Sequence, residues 1–235
     1  MPSTAIIVPC YNEAKRLMAA EFIFFLQQCP DIQFYFVNDG SVDDTQKILL
    51  QIQEASQSKI ITLEKNCGKA EAIRKGFIHA LQDQHTIIGY LDADLSTGLG
   101  ELLRLKKILS EKNLDMVLGS RIKKIDTVIE RSFFRHIVGR GIATIIDQKF
   151  GLGVYDTQCG AKLFRSSLIE NAVTNPFYTK WFFDVELLLR VKKLNPGFIA
   201  VEVPLSKWIN VRNSKLGLLS FPVVFKDLFL LLNKY

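Results

Sequence analysis

Residues 86–96 read TIIGYLDADLS: an apolar run of strand length, Thr86–Leu91, stops abruptly at two aspartates separated by one residue, Asp92 and Asp94. A short continuous apolar run without polar alternation suits a strand covered on both faces, the situation of a parallel sheet. Four more such runs precede or follow it: Ala5–Val8, Gln33–Val37, Lys59–Leu63 and Asp115–Gly119. Helical patterns fill the gaps at roughly 14–28, 43–56, 69–82 and 99–111. Strands alternating with helices predict βαβ units, hence an α/β fold with a mostly parallel central sheet and helices on both faces. The first four strands are each followed by a polar cluster, PCYNE, NDGS, NCGK and DADLS in turn. In an open parallel sheet the carboxyl ends of the strands form the edge where ligands bind.

The chain has 235 residues, 48% of them hydrophobic and 23% charged, enough apolar material for one large core and too much for a disordered segment. Charge is uneven. Residues 1–100 carry 8 Lys and Arg against 12 Asp and Glu, a net −4, whereas residues 101–235 carry 22 against 12, a net +10. An acidic half suits a bound cation, and a basic half suits an anionic substrate or a lipid surface. Nucleic acid would demand broader basic coverage with aromatic platforms and is not expected. Four scattered cysteines without a CxxC pair fit a reducing compartment. The N-terminus lacks a basic stretch and a long apolar core, so it is expected to be a first strand of a protein that stays in the cytoplasm. Beyond residue 120 the pattern shifts to a basic helical region at 121–150, a Gly-rich turn GLGVYDTQCG at 151–160, a helix near 179–194 and a strand Phe198–Val203. The expected organisation is one domain over 1–215 with a soft boundary near residue 120, then an amphipathic helix over 216–235.

Two carboxylates at the tip of a strand repel each other, and a divalent cation would relieve that repulsion while gripping a diphosphate. Asp92 and Asp94 could equally be solvated turn residues, and a phosphatase nucleophile loop is a rival, though such a loop normally follows a chain's first strand. Asp39 could hold a base or ribose, or stand in a turn that caps a helix. Tyr11 could stack on a base or simply pack, and Glu13 could hold a ribose. Lys69 lies at a loop-to-helix junction suited to an anion. The chain has neither a Walker A loop around Lys69 nor a dinucleotide fingerprint at 151–156, where Asp156 takes the last glycine position. Arg131 and Arg135 share a helical face, with Arg121, Arg140, Lys123 and Lys124 close by, so they could clamp a phosphate or form a solvated basic face. Asp184 and Glu186 are two apart on a helix and cannot share a face. The tail LGLLSFPVVFKDLFLLLNKY predicts a helix opened by Ser220, with Pro222 in its first turn and most of its circumference apolar. Residues 206–235 carry a net +4, which favours anionic lipid headgroups over packing on the domain or on a second copy.

In order, PCYNE, VNDGS, NCGKAEA, DADLS, GSR, DTQCGAKLFR, WFFDVELLLR, EVPLSKW and NSKL resemble glycosyltransferase family 2, in its polyprenyl-phosphate branch of dolichyl-phosphate glucosyl- and mannosyltransferases. The FDVELLL stretch is more similar to the glucosyl members. The resemblance implies the GT-A nucleotide-diphospho-sugar transferase fold, with 1–215 as one catalytic domain in which 1–120 is the nucleotide- and metal-binding half and 121–215 the acceptor half. It implies that Pro9, Tyr11, Glu13, Val37 and Asp39 cradle the nucleotide, that Asp92, Ala93 and Asp94 hold Mg2+ or Mn2+ and the diphosphate, and that Arg121, Arg135, Lys215 and, less directly, Arg140 serve the donor or acceptor phosphate. Ser96 departs from the DADLQ of many mannosyl members, removing a side-chain amide near the metal. The implied reaction transfers a hexose, glucose favoured, from UDP-glucose or GDP-mannose to a polyprenyl phosphate, with Asp94, Asp156 and Arg121 as catalytic candidates and Asp156 as base or orienting carboxylate. The alternative is a family 2 enzyme acting on a sugar hydroxyl. A lipid acceptor would place the protein peripherally at the cytoplasmic face of a membrane.

Overall fold

The computed structural model describes residues 3–123, 125, 127–130, 133–209 and 221–235. Strands β1 (Thr4–Cys10), β2 (Ile32–Asn38), β3 (Lys59–Thr62), β4 (Ile87–Leu91) and β5 (Met116–Ser120) match the five expected runs. They alternate with helices α1 (Ala19–Gln28), α2 (Thr45–Glu54), α3 (Lys69–Gln82) and α4 (Leu99–Glu111). The stretch expected to be helical over 121–150 is divided. It contains a short strand β6 (Val128–Glu130) followed by α5 (Phe133–Phe150). The chain continues through β7 (Ala161–Arg165), α6 (Ser166–Ile169), α7 (Phe183–Leu194), β8 (Ala200–Pro204), β9 (Lys207–Ile209) and α8 (Phe221–Lys234).

Seven strands form one sheet in the order β3-β2-β1-β4-β7-β5-β8, and β6 pairs with β9 in a separate ribbon. All pairings in the large sheet are parallel except those of β7, which runs antiparallel between β4 and β5. Strands from both sides of residue 120 therefore share one sheet. Strand order reverses at β1 and β4, which lie side by side, so the crevice at their carboxyl ends is the switch point where α/β sheets bind ligands. Pro9 fits there because β1 pairs with β4 only as far as Ile7. Its missing N–H falls past the end of that ladder.

The two faces follow the period of two along each strand. Ile6, Val8, Phe34 and Phe36 pack with Phe22 and Phe25 of α1, Leu49 and Ile52 of α2, and Leu102, Leu105 and Leu109 of α4. Ala5, Ile7, Tyr35 and Val37 face Ile73 and Phe77 of α3 and Phe183 and Leu187 of α7. Val37 is thus a fully buried core residue on the face toward α3 and α7. A third cluster joins Ile146 of α5, Val185 and Leu189 of α7 and Leu231 of α8. Asp227 accepts the Lys180 and Trp181 N–H groups at 2.7 and 2.6 Å, which ties α8 to the domain. Its opposite face leaves Phe225 and Phe229 65% and 69% exposed. No helix among the described residues is long and apolar enough to cross a membrane.

The loops at the binding edge are laced together. Asn12 accepts the Val42 N–H at 2.9 Å, Ser41 Oγ accepts the Asn12 N–H at 3.0 Å, and Thr45 Oγ1 accepts the Glu13 N–H at 2.8 Å. Gly40 has φ +65°, and a Cβ there would overlap the backbone of Lys65 and Asn66. Gly40→Ala should therefore lower stability by about 1–3 kcal/mol, read as a fall in the urea midpoint at unchanged slope.

Candidate active site

Asp92 and Asp94 leave the tip of β4, and each carboxylate already faces a cation. Lys69 Nζ lies 2.5 Å from Asp92 Oδ1, and Arg16 reaches to 3.8 Å from Asp94 Oδ2. Asp94 Oδ1 also accepts the Ser96 N–H at 3.0 Å, fixing the turn. Burial opposes the Lys69 ammonium, but Asp92, Asp184 and Asp94 outweigh it and raise its pKa above the usual lysine value. Arg16 also grips Glu13 with two hydrogen bonds, of 2.8 and 2.6 Å. Glu13 therefore holds Arg16 toward the second aspartate. The Glu-to-Arg spacing of three in NEAKR was the only sequence signal for this pair.

Asp39 is buried and accepts the N–H groups of Cys67 at 2.7 Å and Gly68 at 2.9 Å. It fastens the loop that presents Lys69 at the start of α3. Tyr11 is half-buried in the β1–α1 loop, and Ala93 is buried between the two aspartates. A Cβ on Gly160 would overlap the Asp92 carboxylate, so the DTQCG loop abuts the metal-ligand candidate directly.

The second half supplies a cationic wall. Arg121 makes a forked pair with Asp156, with Nε and Nη2 each at 2.7 Å, and its backbone N–H adds a third bond at 3.0 Å. The guanidinium centre lies 5.4 Å from the Trp208 ring centroid. Burial disfavours the Arg121 charge, but Asp156 more than compensates and Asp92 adds to the effect, so its pKa moves upward. Glu202, which sequence reasoning did not single out, accepts the Tyr155 and Asp156 N–H groups, both at 2.7 Å, and so orients that loop. Arg140 donates to the Tyr155 carbonyl at 2.7 Å and stacks on the Tyr155 ring at 3.8 Å. The side chain of Arg135 and all of Arg131, Lys215 and Ser220 lie outside the described residues.

Asp184 and Glu186 take separate paths. Glu186 accepts the Tyr178 and Thr179 N–H groups and pairs with Arg190 at 2.7 Å, which anchors the loop before α7. Asp184 lies beneath the site, paired with Lys162 at 2.7 Å and bonded by the Tyr90 hydroxyl. Burial pushes Lys162 down and Asp184 up.

The donor set fits a divalent cation. Among the described residues no three His, Cys, Asp or Glu side chains converge on one point. Mg2+ commonly takes one or two carboxylates and completes its shell with water and substrate phosphates, which is what the Asp92 and Asp94 pair offers. Two cationic side chains already standing at these carboxylates show that the spot favours positive charge.

The family model for glycosyl transferase family 2 matches residues 5–172. A dolichyl-phosphate beta-glucosyltransferase of Dictyostelium discoideum is 32% identical over 228 residues, covering 90% of this chain and 68% of that one. Another, from Trichomonas vaginalis, is 34% identical over 228 residues, covering 90% and 67%. Among solved structures, glucosyl-3-phosphoglycerate synthase from Mycobacterium tuberculosis, crystallised with Mn2+, UDP-glucose and phosphoglyceric acid, superposes with a TM-score of 0.67. It covers 97% of this chain and 80% of its own at 15% identity, a likeness of fold.

Proposed function

The chain belongs to glycosyl transferase family 2, and from that membership we propose that it transfers glucose from UDP-glucose to dolichyl phosphate or a related polyprenyl phosphate. The GT-A fold, a mostly parallel sheet flanked by helices, supplies the frame. Likeness to dolichyl-phosphate beta-glucosyltransferases over 90% of the chain supports the sugar and the acceptor. The observation that carries the choice of a phosphate over a hydroxyl acceptor is the forked Arg121–Asp156 pair. A hydroxyl nucleophile needs a general base. Asp156, the foremost carboxylate for that task, spends both oxygens on a guanidinium.

A phosphate monoester has its second pKa near ~6, so it is already largely dianionic at neutral pH and needs orientation more than deprotonation. Arg121, held by Asp156 and stacked on Trp208, is placed to receive that anion with Arg140 as a companion. Asp92 and Asp94, with Lys69 and Arg16 beside them, would hold Mg2+ or Mn2+ and the donor diphosphate. When bound, the ion would stabilise negative charge building on the departing UDP. The acceptor oxygen forms its bond to the sugar C1 as the bond from C1 to UDP breaks, and UDP leaves with that electron pair. A β-linked product from an α-linked donor means a single displacement with inversion. Orientation of two bound reactants lowers the barrier chiefly by removing the entropic cost of their encounter.

The acceptor's tail stays in lipid, and the outward face of α8, with Val223, Phe225, Phe229 and Leu230 exposed beside Lys226, suits contact with an anionic bilayer surface. Removing the whole helix would strip Leu231 and Asp227 from the domain, so point changes test this better. Burying one Phe is worth about 1.5–3 kcal/mol. Phe225→Ser with Phe229→Ser should thus lower the partition coefficient onto anionic vesicles, read by sedimentation, by roughly 10²–10⁴-fold. Equal partitioning of variant and parent would remove α8 as the contact.

The assignment is tested by supplying a panel of nucleotide sugars and a short polyprenyl phosphate with Mn2+ and identifying products by mass spectrometry. A glucosyl polyprenyl phosphate formed from UDP-glucose is expected. Transfer only to sugar hydroxyls would refute it.

A further inference from the structure

Lys162 is the second residue of β7, opposite Tyr90 in the antiparallel register, and is 1% exposed. Its ammonium spends three hydrogen bonds there, on Tyr90 Oη at 2.7 Å, Asp184 Oδ1 at 2.7 Å and the Cys159 carbonyl at 2.6 Å. The Tyr90 hydroxyl in turn donates to Asp184. A core lysine is costly, and a buried ion pair can often be replaced by apolar residues without loss of stability. The pair's placement suggests what it contributes instead. Tyr90 lies two residues before Asp92 on β4. Cys159 belongs to the loop that carries Asp156, the partner of Arg121, and Gly160, which abuts Asp92. Asp184 also acts on Lys69, the partner of Asp92.

We propose that Lys162 and Asp184, joined through Tyr90, are positioning residues: a buried strut that fixes the spacing between the aspartates of the donor site and the Arg121–Asp156 pair of the acceptor site. Both are buried, Lys162 at 1% and Asp184 at 5% exposure, so their action is through the residues they hold. The strut acts on the geometry of the two reactants once both are bound, so its loss shows in kcat rather than in donor affinity. Misplacement of bound reactants by about 1 Å costs on the order of 10² in rate. This inference rests on the transferase reading above.

Two variants of the full chain test it. Tyr90→Phe keeps the ring and removes only the hydroxyl that joins strand to strut. It should lower the melting temperature by only a few degrees, keep the calorimetric Kd for UDP with Mn2+ within about twofold of the parent and lower kcat at least tenfold. Lys162→Met with Asp184→Leu removes both charges together. Its melting temperature should recover relative to Lys162→Met alone, which strands Asp184, while kcat stays lower by roughly 10²-fold. If Tyr90→Phe turns over at the parental rate, or if the double variant regains turnover along with stability, the strut is structural filling only. A parent chain that makes no glycolipid overturns the proposed reaction itself, a result separate from either variant outcome.

Discussion

Asp94→Ala is expected to lower kcat/KM for glycolipid formation by about 10³, equivalent to about 4 kcal/mol of transition-state stabilisation. The size follows from what the residue would hold. Two carboxylates at the tip of β4 are the donors on offer, so removing one halves the protein's share of the coordination shell. Asp94 is also partly exposed, and its structural bonds are one turn N–H and a long contact with Arg16. Its loss should accordingly leave the urea midpoint nearly unchanged, which separates a lost ligand from a damaged fold. Steady-state kinetics with saturating Mn2+ check this. A variant within tenfold of the parent would mean that Asp94 does not anchor the donor.

Arg121→Ala is expected to lower kcat/KM for the polyprenyl phosphate by on the order of 10²–10³, with UDP affinity unchanged. Arg121 is the residue where Asp156, Trp208 and the long-range pull of Asp92 converge. Asp156→Asn is its natural companion. A general base contributes about 10²–10⁴, so a loss of that order would restore Asp156 to proton transfer. If its task is to aim Arg121, the loss should stay near tenfold, because the asparagine oxygen can still accept one of the two bonds. Competition with inorganic phosphate, measured for all three proteins, would show whether the guanidinium is the anion's seat.

Much of this arrangement was legible in the sequence, and the exceptions have physical causes. Strands β1, β2, β4 and β5 announced themselves because each is apolar and buried on both faces, the edge strand β3 by its short Ile-Ile run, and α3 and α4 matched the expected spans of 69–82 and 99–111. The helix expected from residue 14 begins at Ala19, because the loop around Asn12, at φ 51°, is pinned to the 41–45 turn first. Strand β7 escaped notice because Lys162 breaks its apolar run, and only a distant carboxylate on α7 explains a lysine pointing inward. Its antiparallel insertion between β4 and β5 is likewise a long-range fact. At the site, Asp92, Asp94 and Lys69 stand together beyond the tip of β4, and the loop of Gly160, which abuts Asp92, also carries Asp156, the partner of Arg121. The pairing of Arg121 with Asp156 and the clamp of Glu202 depend on loops 35 to 47 residues apart. Glu186 belonged to the same motif as Asp184 and proved to be a loop anchor, its neighbours being invisible to local pattern.

The most direct test of the donor site is a calorimetric titration of the full chain with UDP, run once with Mn2+ and once with excess chelator. The account predicts clear binding with the ion and a loss of at least tenfold in affinity without it. Equal affinity in both titrations would contradict a metal bridge between Asp92, Asp94 and the diphosphate.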